Sequence, residues 1–423
     1  MRILPAVVMS ALLAGAASVA PAGASVARYD EGPVVYLAGP GEANRLEVRS
    51  AGDGKVGLED PGATIDPGNG CSSVGEHAVV CDGPFAAAPV LVDLRDRDDS
   101  ATALDDMTVV VKGGDGRDVL TAGGGYDELA GGRGVDTLIG GSGWDELVGG
   151  PGADVMEGGP GRDSVSYRGY TRPVQVDLRT QPSSGGADGE GDSIDEVEGV
   201  LGGEAGDMLG GRWVTGWGGD DVLRGTAGRD GLHGMDGDDT IEAGAGPDWI
   251  TGGHGRDAIF AGAGDDRVET QDGRFARDGR DVVRCGPGAD SASAFDLTLP
   301  ARATRDVFAS TCERVVIPSY GLRSIRQTAG PPLRELRLRI SRRRVGRCEV
   351  DVAVRAGDRL VGEGHATPRK GSPGIARVAL DEYVRDRVAE AGSVRLRVSL
   401  SVRYDEGPDR HETTGWTLLL RGG

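Results

Sequence analysis

Between Gly113 and Ser166 an aliphatic side chain or a methionine returns every ninth residue: Leu120, Leu129, Leu138, Leu147, Met156 and Val165. From Gly216 to Glu269 the same register comes back, with Leu223, Leu232, Ile241, Ile250, Ile259 and Val268. The intervening positions are mostly glycine, aspartate and other polar residues. The last three or four residues of each nine therefore read as a short strand with one apolar side chain turned inward. A strand that short cannot hold a core alone and must stack on copies of itself, about 4.8 Å apart. A flexible glycine-rich tract would not keep an aliphatic residue at every eighth position.

Polar positions obey the period more strictly still. Cut into nines, the first stretch gives GGDGRDVLT, AGGGYDELA, GGRGVDTLI, GGSGWDELV, GGPGADVME and GGPGRDSVS. The fourth position is always glycine: Gly116, Gly125, Gly134, Gly143, Gly152 and Gly161, then Gly219, Gly228, Gly237, Gly246, Gly255 and Gly264. The sixth is always aspartate: Asp118, Asp127, Asp136, Asp145, Asp154 and Asp163, then Asp221, Asp230, Asp239, Asp248, Asp257 and Asp266. Many units carry a further glycine at the second position, as at Gly114; Trp217, Thr226 and Met235 replace it in the second stretch. Close-set glycines permit the positive φ angles of a tight turn. Stacking the units sets the carboxylates in columns. Such columns repel unless a cation lies between the turns, and carbonyl plus carboxylate oxygens suit a hard ion such as calcium.

The units resemble the RTX-type (repeats-in-toxin) nonapeptide G-G-x-G-x-D-x-U-x of calcium-binding parallel β-rolls. The resemblance covers the two six-unit blocks and implies a Ca2+ ion between turns. It would be held by the sixth-position aspartates and by backbone carbonyls of the glycine-rich turns, Gly114 and the fourth-position glycines among them. Two successive units make one coil, so each ion is expected to bridge unit n and unit n+2. The expected fold is all-β: a parallel β-roll solenoid with an inserted hairpin, flanked by a small N-terminal β-domain and a C-terminal β-sandwich-like domain.

Residues 1–24 read as a secretory signal, with Arg2, the apolar run Ile3 to Val19, and Ala22-Gly23-Ala24 as cleavage site. No later stretch has the ~20 apolar residues of a membrane span. The mature chain is thus expected to be extracellular, with cell-surface association as an alternative. Residues 25–104 read as a small β-domain with strands at Val34 to Leu37 and Leu46 to Val48, where Cys71 and Cys81 should pair as a hairpin disulfide. Its last part, Leu91 to Thr102, resembles a degenerate repeat with Arg95 and Arg97 at glycine positions. Asp96, Asp98 and Asp99 there read first as a solvated acidic turn, with a cation site as the alternative.

The remaining divisions follow the period. Block 1 spans 105–166, an inserted hairpin with re-entry 167–215, and block 2 216–269. In the insert Val174, Val176 and Leu178 alternate, Ile194, Val197 and Val200 return, and Asp207 with Leu209 marks a weaker unit. The insert reads as a lateral excursion from one continuous roll, with separate rolls as the alternative. Residues 270–318 resemble the terminal cap of exported actinobacterial repeat proteins, closed by Cys285 and Cys312, which leaves Cys348 unpaired, as a small buried thiol or, in the alternative, in an intermolecular bridge. Residues 319–332 read as a linker and 333–423 as antiparallel strands, with one short helix at Asp381 to Ala391.

Net charge is -20, which argues for cations and against nucleic acid as partners. The tail from Tyr320 is the exception, with 21 Lys plus Arg against 13 Asp plus Glu. Its Arg-rich face reads as solvated, and contact with an anionic cell-wall polymer is the minority reading. None of the five histidines lies in an H-E-x-x-H helix, and neither a G-x-S-x-G elbow nor a P-loop occurs. The sequence therefore points to a secreted calcium-binding protein without enzyme activity. A calcium-stiffened surface or adhesive protein is the first alternative, and a polysaccharide-modifying enzyme the second.

Overall fold

A computed structural model of the chain describes residues 24–29, 32–83, 88–187, 189–272 and 281–296. Beyond 296 it describes chiefly the strands between 307 and 421 and a helical stretch at 382–384. The expected signal segment and Cys312 lie outside the described residues, as does most of the expected helix at Asp381 to Ala391. The chain divides into two compact units, Met1–Tyr167 with Val176–Val200, and Arg168–Gln175 with Leu201–Gly423.

In the first unit the eighth-position residues alternate between two parallel ladders, as a two-unit coil requires. One ladder aligns Tyr36, Val92, Val111, Leu129, Leu147 and Val165. The other aligns Leu46, Ala101, Leu120, Leu138, Met156 and Ile194. All twelve side chains are buried. Each contributes about 1.5–3 kcal/mol where it is as large as valine or leucine, so the core is a pair of stripes and not a globule. Stacking continues N-terminally of the recognisable repeats: Val90–Asp93 pairs in parallel with Val34–Leu37, and Ser100–Ala103 with Arg45–Gly52. Antiparallel strands Lys55–Glu59 and Ala78–Cys81 extend this end, and Cys71 and Cys81 are joined by a disulfide.

The insert contributes an antiparallel hairpin, Ser183–Ala187 with Asp192–Asp195. Its second strand rejoins the ladder in parallel with Val155–Glu157 and places Ile194 opposite Met156.

The second unit repeats the pattern. Val214, Leu232, Ile250, Val268 and Ala292 align on one ladder, and Leu209, Leu223, Ile241, Ile259 and Val283 on the other. Both ladders run on where the nine-residue period has decayed, through Val307–Ala309 and Arg314–Pro318 to Arg326–Thr328 and Glu335–Ile340. Strand Arg326–Thr328 lies inside the stretch expected to be a linker. Connections lengthen here, so counting in nines fails while the strand register survives. Antiparallel pairing takes over in the C-terminal strands, Cys348–Ala356 with Arg359–Ala366 and with Ser393–Tyr404, and Ser393–Tyr404 with Glu412–Arg421. Cys285 is buried and disulfide-bonded.

Candidate calcium centre

The turns are built so that oxygens crowd one side. Gly132 and Gly134 have φ of +112° and +144°, and a Cβ on either would collide with the carbonyl of Gly114 or Gly116 on the preceding coil. Only glycine combines that backbone with that approach. The first-position glycine has a different task. A Cβ built on Gly140 would lie 2.7 Å from Asp145 Oδ2 and 2.8 Å from Gly158 O. A carboxylate oxygen of unit n and a carbonyl oxygen of unit n+2 thus converge on the space glycine leaves open. The same two atoms converge at Gly113 (Asp118 and Gly131), Gly131 (Asp136 and Gly149), Gly216 (Asp221 and Gly234) and Gly234 (Asp239 and Gly252).

Except at Asp230, the sixth-position carboxylate divides its two oxygens. Oδ1 accepts a backbone N–H from the residue one coil earlier: Asp136 from Asp118 at 2.8 Å, Asp154 from Asp136 at 2.8 Å, Asp145 from Asp127 at 2.9 Å and Asp163 from Asp145 at 2.9 Å. In the second unit Asp239 accepts from Asp221, Asp257 from Asp239, Asp248 from Asp230 and Asp266 from Asp248. Oδ2 is another matter. In Asp118, Asp127, Asp136, Asp145, Asp154, Asp163, Asp221, Asp239, Asp248 and Asp266 it is buried with no hydrogen-bond partner among the described residues. Burying an unpartnered carboxylate oxygen is costly unless a proton or a cation joins it.

The acidities reflect that cost. Burial is the largest influence and the backbone hydrogen bond opposes it. Asp118, Asp145 and Asp239 are pushed up to about 6, Asp127, Asp154, Asp163 and Asp248 to about 7, and Asp221 to about 8. Neighbouring carboxylates add to the rise, as Asp145 does for Asp127 and Asp239 for Asp221. A divalent cation between coils would remove the burden on both members of a pair. Among the described residues no group of three or more His, Cys, Asp or Glu side chains could hold a metal. A site of this kind draws on one or two carboxylates and otherwise on turn carbonyls, a donor set of hard oxygens that fits calcium.

Three acidic positions are closed by the protein itself. Asp230 accepts from Thr226 N on Oδ2 (2.6 Å) and from Thr226 Oγ1 on Oδ1 (2.8 Å), so the threonine that replaces the second glycine also occupies the carboxylate. Asp207 is held by Gly203 N and Val174 N, and Asp192 by Tyr167 Oη and Asp154 N. Asp192, Asp281 and Asp290 continue the columns, accepting from Asp154, Asp257 and Asp266, and Glu198 does so for Asp163. Sequence reading passed over these four because they fall outside the nine-residue count. The signal was the spacing aspartate, any residue, apolar residue, present in Asp192/Ile194, Asp281/Val283 and Asp290/Ala292. Asp99 shows it too and is buried, against the solvated turn expected there; Asp96 and Asp98 are at least partly exposed.

Four copies of the RTX calcium-binding nonapeptide repeat match this chain, over residues 112–143, 139–168, 213–232 and 233–268. The chain carries RTX-type calcium-binding repeats. The matched residues are well under half of the chain and coincide with the RTX blocks, where Oδ2 of Asp118, Asp136, Asp221 and Asp239 among others lacks a partner among the described residues. No curated protein matches the chain. No helix among the described residues is long and apolar enough to cross a membrane.

Proposed function

We propose that this protein is secreted and that its RTX roll folds on binding Ca2+ between successive coils. The observation that carries the reading is the column of buried, unpartnered aspartate oxygens facing carbonyls of the next coil. At neutral pH and without a cation these carboxylates oppose stacking; calcium turns the same columns into the joints that hold it. At calcium tenfold above its Kd each site adds about 1.4 kcal/mol, so a handful of sites equals the whole stability of an ordinary domain. Export agrees with the signal-like start and with the Cys71–Cys81 disulfide, a bond that persists in oxidising surroundings. The test is calorimetry with far-ultraviolet circular dichroism on the chelated full chain. Binding of several ions with a gain of β-signal is expected; a flat titration would sink the reading.

A further inference from the structure

We infer a calcium site outside the recognisable repeats, between the coil of residues 94–101 and the coil of residues 113–120, with Asp99 and Asp118 as its side-chain ligands. It rests on the calcium reading of the roll. By sequence the first of these coils is a degenerate repeat at best: Leu94, Arg95 and Arg97 stand where the nonapeptide carries glycine. Its geometry is nonetheless that of a repeat.

Arg95 and Arg97 adopt φ of +72° and +85°, a backbone that arginine resists and glycine takes freely. Their carbonyls press on Gly114 and Gly116 of the next coil just as the carbonyls of Gly114 and Gly116 press on Gly132 and Gly134. Asp115 N donates to Arg95 O at 2.9 Å, and Arg117 N to Asp98 Oδ1 at 2.9 Å. The arginine side chains are exposed and leave the turn clear.

The acidic pair carries the inference. Asp99 N donates to Asp118 Oδ1 at 2.8 Å, the link that joins sixth-position aspartates throughout the roll. Asp99 Oδ1 accepts from Asn44 N at 2.6 Å. That leaves Asp99 Oδ2, on a side chain 3% exposed, and Asp118 Oδ2, on one 0% exposed, both without a hydrogen-bond partner among the described residues. Leu94 does not block the arrangement, because it is buried in the core. Side chains also occupy that position at Ala122, Ala243 and Ala261, whose aspartates Asp127, Asp248 and Asp266 keep the same open oxygen. The other ladder supplies a contrast. There the residue one coil before Asp127 is Val109, which offers an amide to Asp127 Oδ1 and no side-chain oxygen. The column through Asp99 is therefore one calcium longer at its N-terminal end than the column through Asp127.

Native mass spectrometry of the full chain in calcium counts the ions. Asp99→Asn keeps an acceptor for Asn44 N but removes the charge, and it should lower the count by one with the other sites retained. An unchanged count overturns the inference, whereas a wild-type chain that binds no calcium overturns the calcium reading itself. The double variant Arg95→Gly/Arg97→Gly decides the matter if Asp99→Asn does not fold. A site already present predicts an unchanged count with one site tightened several-fold; a count raised by one, or no site tightened, overturns it.

Discussion

At the scale of single residues, the decisive feature is an aspartate whose two oxygens have separate duties. Asp136 Oδ1 holds Asp118 N, while Asp136 Oδ2 stays buried without a partner among the described residues. Replacing it by the isosteric Asp136→Asn keeps an acceptor and removes a buried charge, so two effects of opposite sign are expected. In calcium the variant should bind fewer ions and lose on the order of 1.4 kcal/mol per weakened site. In chelator it should melt at or above the wild-type temperature, and calorimetric scans under both conditions check the crossing. Thr226→Gly is the converse case. It removes the hydroxyl from Asp230 Oδ1 and permits the positive φ that Gly244 adopts at the same repeat position, so it should add one ion to the count measured by mass spectrometry. Asp230 shows how far the residues themselves announce this chemistry. Its aspartate and Gly228 fit the motif, but a hydroxyl at Thr226 is invisible to any rule that asks only where glycine is missing. Asp192, Asp281 and Asp290 err the other way, in place in the columns yet out of phase in the chain.

At the scale of elements, the strands are too short to be stable singly, and the ladder makes them cooperative. Leu138 lies between Leu120 and Met156 and is fully buried. Leu138→Ala should cost about 2–5 kcal/mol, because the stacked backbone on either side cannot collapse into the gap. A lowered melting temperature in calcium with ion count preserved would identify the loss as packing alone. The inward aliphatic residues and the parallel stacking were legible because a nine-residue period specifies both at once. The continuation to Glu335–Ile340 was not, since Asp257 and Asp281 are 24 residues apart where repeat partners are 18 apart. A connection can lengthen at modest entropic cost while the strand register is kept by core and hydrogen bonds.

For the whole molecule, the aspartate columns tie stability to acidity as well as to calcium. Their folded acidities, about 6 for Asp118, 7 for Asp127 and 8 for Asp221, stand above the ordinary carboxylate value of 3.8. The metal-free fold therefore holds more protons than the unfolded chain. That contribution is fully present below about pH 4 and is lost as pH rises through about 6 to 8. Circular dichroism in chelator should show more β-structure at pH 5 than at pH 8, and calcium at pH 8 should restore it. Equal spectra at the two pH values would contradict the protonation account.

The two-unit coil also sets the arithmetic by which such a chain can change length. Because successive nines lie on opposite ladders, losing one unit would carry every later strand to the other ladder. Losing 122–130, for example, would bring Asp136 beneath Val109 instead of Asp118 and leave it without an acidic neighbour one coil earlier. Losing two units removes a full coil and leaves each remaining aspartate on its own column. Insertions and deletions in the array should thus be tolerated in steps of eighteen and not of nine.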